Sequence, residues 1–489
     1  MPLLDSFQFA DVDGVPVVWT PSTQPLSASL VFRVGRADES FLGGGVTHLV
    51  EHLVMRGVGR MPIEANAHVS THTTTFVASG SAHHVVDFLA RVCRQLAALD
   101  TAPLEVERRV LRAEESGGGC GPAGEAASLR YGCRGAGLLA YRDMGVRTAD
   151  ADTVRDWSAR YFTRGNAVLA LVGDVPADLR LALPPGERMP LVAPPPRPLD
   201  LPAWDPQSGG TAVSLPVAGG TGMDLAVGRL LSRAATDLVR HEKGLAYHVD
   251  HDGVAVDAGT SEVALFADND EERAEEVAAL LLDVVRRVAE RGPTPQEIAD
   301  DEQEALEQLG DPRGLDDAVG SAAYDVLLGE TVRSPAEMYE QTRRRTAGDV
   351  REAVAAAADR LLVLLPGETE LAGAGLRRLA WSSCPVPAGR ELRPRLFKGL
   401  PGGSRLVVGD TGLALRLPEG DLVARWDDVV GVTYTSGGDH VVQSGDGPAV
   451  PVFPRDWRGG DAAVAEIRRR VPEHLFVPEP DEDGGEGAA

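Results

Sequence analysis

Two stretches of the chain repeat one pattern of apolar and polar positions. In the first, VVDFLARVCRQLAAL (85–99) has apolar residues three and four apart, Thr101-Ala-Pro follows, and the charged LEVERRVLRAEE (104–115) comes next. In the second, VAALLLDVVRRVAE (277–290) leads to Thr294-Pro295 and then QEIADDEQEALEQL (296–309). The spacing predicts amphipathic helices. A Thr hydroxyl before proline suits a helix start, because it can accept from free amides and proline is tolerated in the first turn. Each stretch then reaches a helix-plus-strand pattern, TADADTVRDWSARYFTRGNAVLALVGDV from Thr148 and TAGDVREAVAAAADRLLVLLPG from Thr346. Three matched elements in one order predict a duplicated α+β domain, with strands on one side and long helices on the other.

Proline marks the joints. The segments Pro190 to Pro206 and Pro385 to Pro394 read as extended and helix-free. Beyond Leu396, short strand-like runs broken by Gly-Asp turns end in one helical run, DAAVAEIRRRV. The expected organisation is α+β: a first domain over 1–189, a linker over 190–206, a homologous second domain over 207–384 and a linker over 385–394. A small, mostly β domain with one helix, a barrel or sandwich similar to bacterial pleckstrin-homology-like domains, follows over 395–478. An acidic tail occupies 479–489.

Composition narrows the partners. Of 489 residues, 73 are acidic and 48 basic, a net charge of −25. Such a surface repels phosphate backbones and anionic lipid, so neither nucleic acid nor membrane is expected as a partner. No run approaches the roughly 20 apolar residues of a membrane helix. The opening MPLLDSFQFADVDG lacks the basic and apolar regions of a signal peptide. Four cysteines, none in a CxxC pair, rule out a disulfide framework. A cytoplasmic protein is expected. Only Lys243 and Lys398 are lysines, an arginine bias that with abundant Ala and Gly suggests a bacterial, GC-rich genome.

The chemistry concentrates at His48-Leu-Val-Glu51-His52. On a helix, positions i and i+4 share a face, so both imidazoles can reach one metal. Glu51 lies near that face, placed to take a proton from a water made acidic by zinc. Phe41-Leu42-Gly43-Gly44-Gly45 supplies a turn before this helix. A tetrahedral zinc needs another ligand, a His, Asp, Glu or Cys from elsewhere. The helix 105–115 offers Glu107 and Glu114, seven apart and so on one face.

His48-x-x-Glu51-His52 is the inverzincin signature, and its surroundings resemble the pitrilysin, insulinase and mitochondrial-processing-peptidase family in its bacterial half-length form. The family's Glu-Arg-x-x-x-x-x-Glu helix is matched by Glu107-Arg108 through Glu114. The resemblance makes Glu114 the third zinc ligand, with Glu115 in its place if the register is one residue out, and makes Glu107 a supporting group behind the ligands. Asn66-Ala67 with Thr74 and Phe76 is similar to the family's strand that pairs with the substrate backbone. Leu238-Val-Arg240 through Gly244-Leu-Ala-Tyr247 resembles the element whose Arg and Tyr hold substrate. The resemblance spans residues 5–370 and implies two α/β-sandwich metallopeptidase domains and a Zn2+-dependent endopeptidase. Its substrates would be unfolded, precursor or leader peptides. Glu51 would be the base, with Tyr247 at the oxyanion and Arg240 on the substrate. It also implies a dimer, either with itself or with a related peptidase subunit, that completes a chamber. The alternative is a non-catalytic subunit of a heterodimeric processing complex.

Weaker signals are read as structural. His68 and His72, four apart on a strand, would share a face about 13 Å apart, too far for one metal, and are expected to face solvent or a cleft. The run Gly117-Gly118-Gly119 has no preceding strand and is read as a loop, not a phosphate cradle.

Overall fold

The protein is described by a computed structural model covering residues 3–479, except 116–118, 220–221, 312–313, 368 and 397–398, with backbone alone for Glu115 and Gln207. The tail beyond 479, most of the glycine run, and Lys398 lie outside the described residues.

Two six-stranded sheets share one topology over five of their strands. The first runs Gln8–Val12, Val15–Thr20, Ala167–Val172, Leu26–Phe32, Thr74–Gly80, Glu64–Val69. The second runs Arg377–Arg378, Ala203–Ser208, Leu362–Pro366, Thr211–Ala218, Thr260–Asp268, His248–Ala255. In each, the second and third strands pair parallel, and every later pairing is antiparallel. The duplicated domain read from the sequence is therefore present over five of the six strands. The outer strand differs: Gln8–Val12 precedes its neighbour in the chain and pairs antiparallel, whereas Arg377–Arg378 comes last in its unit and pairs parallel. Thr294 caps its helix through a reciprocal pair with Glu297, and Thr346 does so with Asp349. Thr101 does not cap. Its hydroxyl accepts from Arg155, and the helix begins only at Leu104.

All six residues of Ala167–Val172 are buried because both faces of the first sheet are covered. Leu30, Leu169 and Leu171 pack with Leu49, Leu53 and Phe88 of the helices Val46–Val58 and Ala82–Ala97. The opposite face, with Val31, Val168 and Ala170, is covered by Val319, Ala323 and Leu327 of the helix Leu315–Leu328, which comes from the second half. The reciprocal exchange also occurs. The helix Gly121–Tyr131 of the first half sets Ala123, Ala126 and Ala127 against Ala212, Val254, Ala264 and Leu364 of the second sheet.

The C-terminal part consists of two four-stranded sheets and the helix Gly460–Arg470 around Trp457 and Ile467. Its first strand, Gly389–Leu392, falls inside the segment expected to be an extended linker, because its backbone pairs with Arg405–Gly409. Likewise, Ala203–Ser208 starts within the first Pro-rich segment and pairs with Leu362–Pro366. Among the described residues, no helix is long and apolar enough to cross a membrane. The four cysteines are all free thiols.

Candidate metal centre

The helix Val46–Val58 starts where the glycine run turns the chain. Gly45 has φ 83° and no room for a side chain, since a Cβ there would meet Val146 and Asp143 at 2.5 and 2.7 Å. The free amides at this start are satisfied from outside the helix. The buried Glu39 carboxyl accepts from the N–H groups of Gly45 (2.7 Å) and Thr47 (2.8 Å). Burial, opposed by those hydrogen bonds and by Arg36, pushes Glu39 up to about 7. Trp157 Nε1 donates to the Thr47 hydroxyl at 3.1 Å, fixing the first turn to the helix Ala151–Tyr161. Nothing in the spacing of Glu39 or Trp157 marks them from sequence.

One turn further, His48 and His52 project side by side, ring centroids 4.8 Å apart and nearly perpendicular. Glu114, near the end of the helix Leu104–Glu115, reaches both, with its Oε2 3.9 Å from His48 Nε2 and 3.6 Å from His52 Nε2. One donor atom from each of the three lies within 4.8 Å of the others. Glu51, nearly buried, holds its Oε2 3.5 Å from His48 Nε2 and 3.8 Å from His52 Nε2. Glu107 approaches the other side of His52, its Oε2 3.1 Å from Nδ1, and its second oxygen accepts from Arg56. A carboxylate on Nδ1 fixes the tautomer that leaves Nε2 free to bind a metal.

The local electrostatics suit a cation. Burial, aided by His52 and Arg36 and opposed by Glu114, holds His48 down to about 4, so its imidazole is neutral at physiological pH. Burial pushes Glu51 up to about 7, with His52 opposing and Glu114 and Glu107 adding to the rise. Two imidazoles and a carboxylate are the donor set a catalytic zinc takes, so the residues fit that ion. The fallback Glu115 has no described side chain.

His48 and Glu114 line a cavity of about 1190 Å³ bounded by all three parts of the chain. Val69, the last residue of Glu64–Val69, also lines it, and that strand is the free edge of the first sheet. Asn66 on this strand is exposed and Ala67 is buried. Phe76 sits in the core against Phe32. His68 is exposed, but His72 is not solvent- or cleft-facing as expected. The strand ends at Val69, and the turn carries His72 inward, where Nε2 pairs with the Ala255 carbonyl at 2.8 Å. Arg240 and Tyr247 come together, with the guanidinium 5.6 Å from the ring centre. Both are exposed and neither lines the cavity.

Solved structures share this fold. The inactive domain of a peptidase M16 from Pseudomonas fluorescens is 18% identical, with 74% of this chain and 98% of that one covered, at a TM-score of 0.61. A protease from Helicobacter pylori is 15% identical, covering 74% and 100%, at 0.62. Pitrilysin is 15% identical, covering 75% of this chain and 45% of its own, at 0.57. No protein-family model and no curated protein matches the chain. At such identities the likeness is one of fold. Over about three quarters of its length, 74% for the Pseudomonas fluorescens domain, the chain has the fold of these M16 peptidases, and it carries a β-rich C-terminal part besides its two α/β units.

Proposed function

We propose that the chain is a zinc-dependent endopeptidase of the pitrilysin, insulinase and mitochondrial-processing-peptidase family that cleaves unfolded, precursor or leader peptides. One observation supports this most. His48, His52 and Glu114 converge beside the buried Glu51, and two of them, His48 and Glu114, line a cavity that Val69 of the edge strand also lines.

His48, His52 and Glu114 would hold the ion. When bound, zinc makes water acidic near neutral pH and polarises a carbonyl oxygen. The protein's own groups do the rest. The substrate backbone pairs with the edge strand around Asn66 and Ala67, which presents unpaired N–H and C=O groups. Glu51, whose proton affinity lies near neutrality, takes a proton from the attacking water on its Oε2 and passes it to the departing amine nitrogen. Glu107, steadied by Arg56, keeps His52 in its orientation. Arg240 and Tyr247 act in a state where the segment around them folds toward the cavity, Arg240 on a substrate carbonyl or carboxylate and Tyr247 on the oxyanion. A homodimer, or a heterodimer with a related peptidase subunit, and a cytoplasmic location belong to this reading.

Metal analysis with a peptide-library digest, with and without chelator, tests it. Bound zinc with chelator-sensitive cleavage is the expected result. Because one structure of this fold is named an inactive domain, zinc binding without cleavage of any peptide would favour the scaffold-subunit alternative.

A further inference from the structure

The lining of the cavity is mixed. Besides polar groups such as His48, Glu114, Arg36 and Asp143, it includes an apolar wall of Leu379, Trp381, Leu417 and Leu422, drawn from the C-terminal β part and the segment that precedes it. Leu417 and Leu422 belong to the antiparallel pair Gly412–Leu417 and Gly420–Arg425, in which Leu417 faces Gly420 and Leu415 faces Leu422. Directly paired residues share a face of a sheet, so Leu417, Gly420 and Leu422 stand on one side. The Trp381 indole lies over Gly420, where a Cβ would come within 3.1 Å of it. Leu379 and Leu364 extend the same wall.

This wall is held in place. Buried Arg197 donates from Nη2 to the Trp381 carbonyl (3.0 Å) and from Nη1 to the Leu129 carbonyl (2.8 Å). The Val423 N–H donates to the Ser382 hydroxyl at 2.8 Å. Leu417, Leu422 and Trp381 are half-buried, the two leucines packing in part against the core of the C-terminal part, while Leu379 and Leu364 are buried. Apolar surface left facing a cavity keeps an unfavourable contact with water, and a ligand's apolar group relieves it.

We propose that Leu417, Leu422, Trp381 and Leu379 form a side-chain subsite that takes a large apolar residue, Leu, Phe or Met, of a peptide whose backbone lies by the metal centre. The C-terminal β part thereby sets which peptides are accepted. The inference rests on the peptidase reading for the direction of the backbone. Burying one Leu-sized side chain raises affinity by roughly 10- to 150-fold.

The test uses full-length Glu51→Gln protein in zinc-containing buffer and fluorescein-labelled Gly/Ser decapeptides with a central Leu, Phe or Glu, followed by fluorescence anisotropy. The Leu and Phe peptides should bind at least 10-fold more tightly than the Glu peptide. Trp381→Ala should reduce that preference by 10-fold or more, and Leu417→Lys, at the end of its strand, should shift it toward the Glu peptide. Circular dichroism and melting curves establish that both variants fold. Equal binding of the three peptides, or an unchanged preference in two folded variants, would overturn the subsite. Parallel digests with the native chain separate the two readings. Zinc-dependent cleavage without side-chain preference removes the subsite and keeps the peptidase, whereas apolar preference in binding without any cleavage does the reverse.

Discussion

Glu51 and Glu107 address opposite nitrogens of the same imidazole, and their substitutions should separate cleanly. Glu51→Gln keeps the donor set and removes the proton acceptor, so zinc should stay bound while cleavage falls by about 10²–10⁴. Glu114→Gln should strip the metal, whereas Glu107→Gln should weaken it about 10–100-fold. Metal content by mass spectrometry beside a peptide assay reads all three. A zinc-loaded Glu51→Gln protein of normal activity would refute the assignment. Glu39 makes a pH prediction. Burial raises it from 4.5 to about 7, so the folded chain retains a proton that the unfolded chain has already released. Stability should then fall as pH rises from about 4.5 to about 7, by an amount on the order of 3 kcal/mol. Melting curves of metal-free Glu39→Gln protein should lose this contribution and keep the one of the same sign from Glu51, which burial also raises to about 7. The imidazole pair was legible in the sequence because a helix turns i and i+4 to one side. Glu39 was not, because its partners are backbone amides that carry no residue signature.

At the scale of elements, a buried ion pair helps to hold one of the two exchanged helices. Arg130, on the helix Gly121–Tyr131, donates from Nε to Glu262 of the second sheet at 2.8 Å, with both side chains at most 5% exposed. Arg130→Met strands a buried carboxylate and should cost about 3–5 kcal/mol, whereas Arg130→Met with Glu262→Met should cost much less. Urea unfolding of the single and double variants gives the comparison, and additive losses would contradict it. The segment carrying Arg240 and Tyr247 poses the opposite question, since both are exposed and stacked on each other. If Tyr247 reaches the oxyanion during turnover, Tyr247→Phe should lower kcat by about 10²–10³ with zinc content unchanged. An unchanged kcat removes both residues from the mechanism. Periodicity located the long helices of each half and the order in which they repeat. It did not reveal that Gly121–Tyr131 and Leu315–Leu328 each cover the other half's sheet. An apolar helix face specifies that it will be buried, not against which sheet.

In the whole molecule, the β-rich C-terminal part is docked beside the metal helix. Gly431 packs under Phe41 and Leu42, the Cys133 N–H donates to the Gly445 carbonyl at 2.9 Å, and Arg134 pairs with Asp428. Gly132 permits this approach. Its φ is +61°, and a Cβ would lie 2.3 Å from the Gly445 carbonyl oxygen. Gly132→Ala should therefore lift this part away, seen as faster hydrogen exchange in Val429–Tyr434 and a lower melting temperature. Protection equal to that of the native chain would count against the docking. The exchanged helices also bear on how the chain is made. The first sheet is complete once Ala167–Val172 has left the ribosome, yet the helix that covers its second face ends only at Leu328. At about 5–20 residues per second, that interval lasts roughly 8–30 s. During it Val18, Val31 and Val168 face water on a nascent chain, a surface for chaperones to guard until translation delivers its cover.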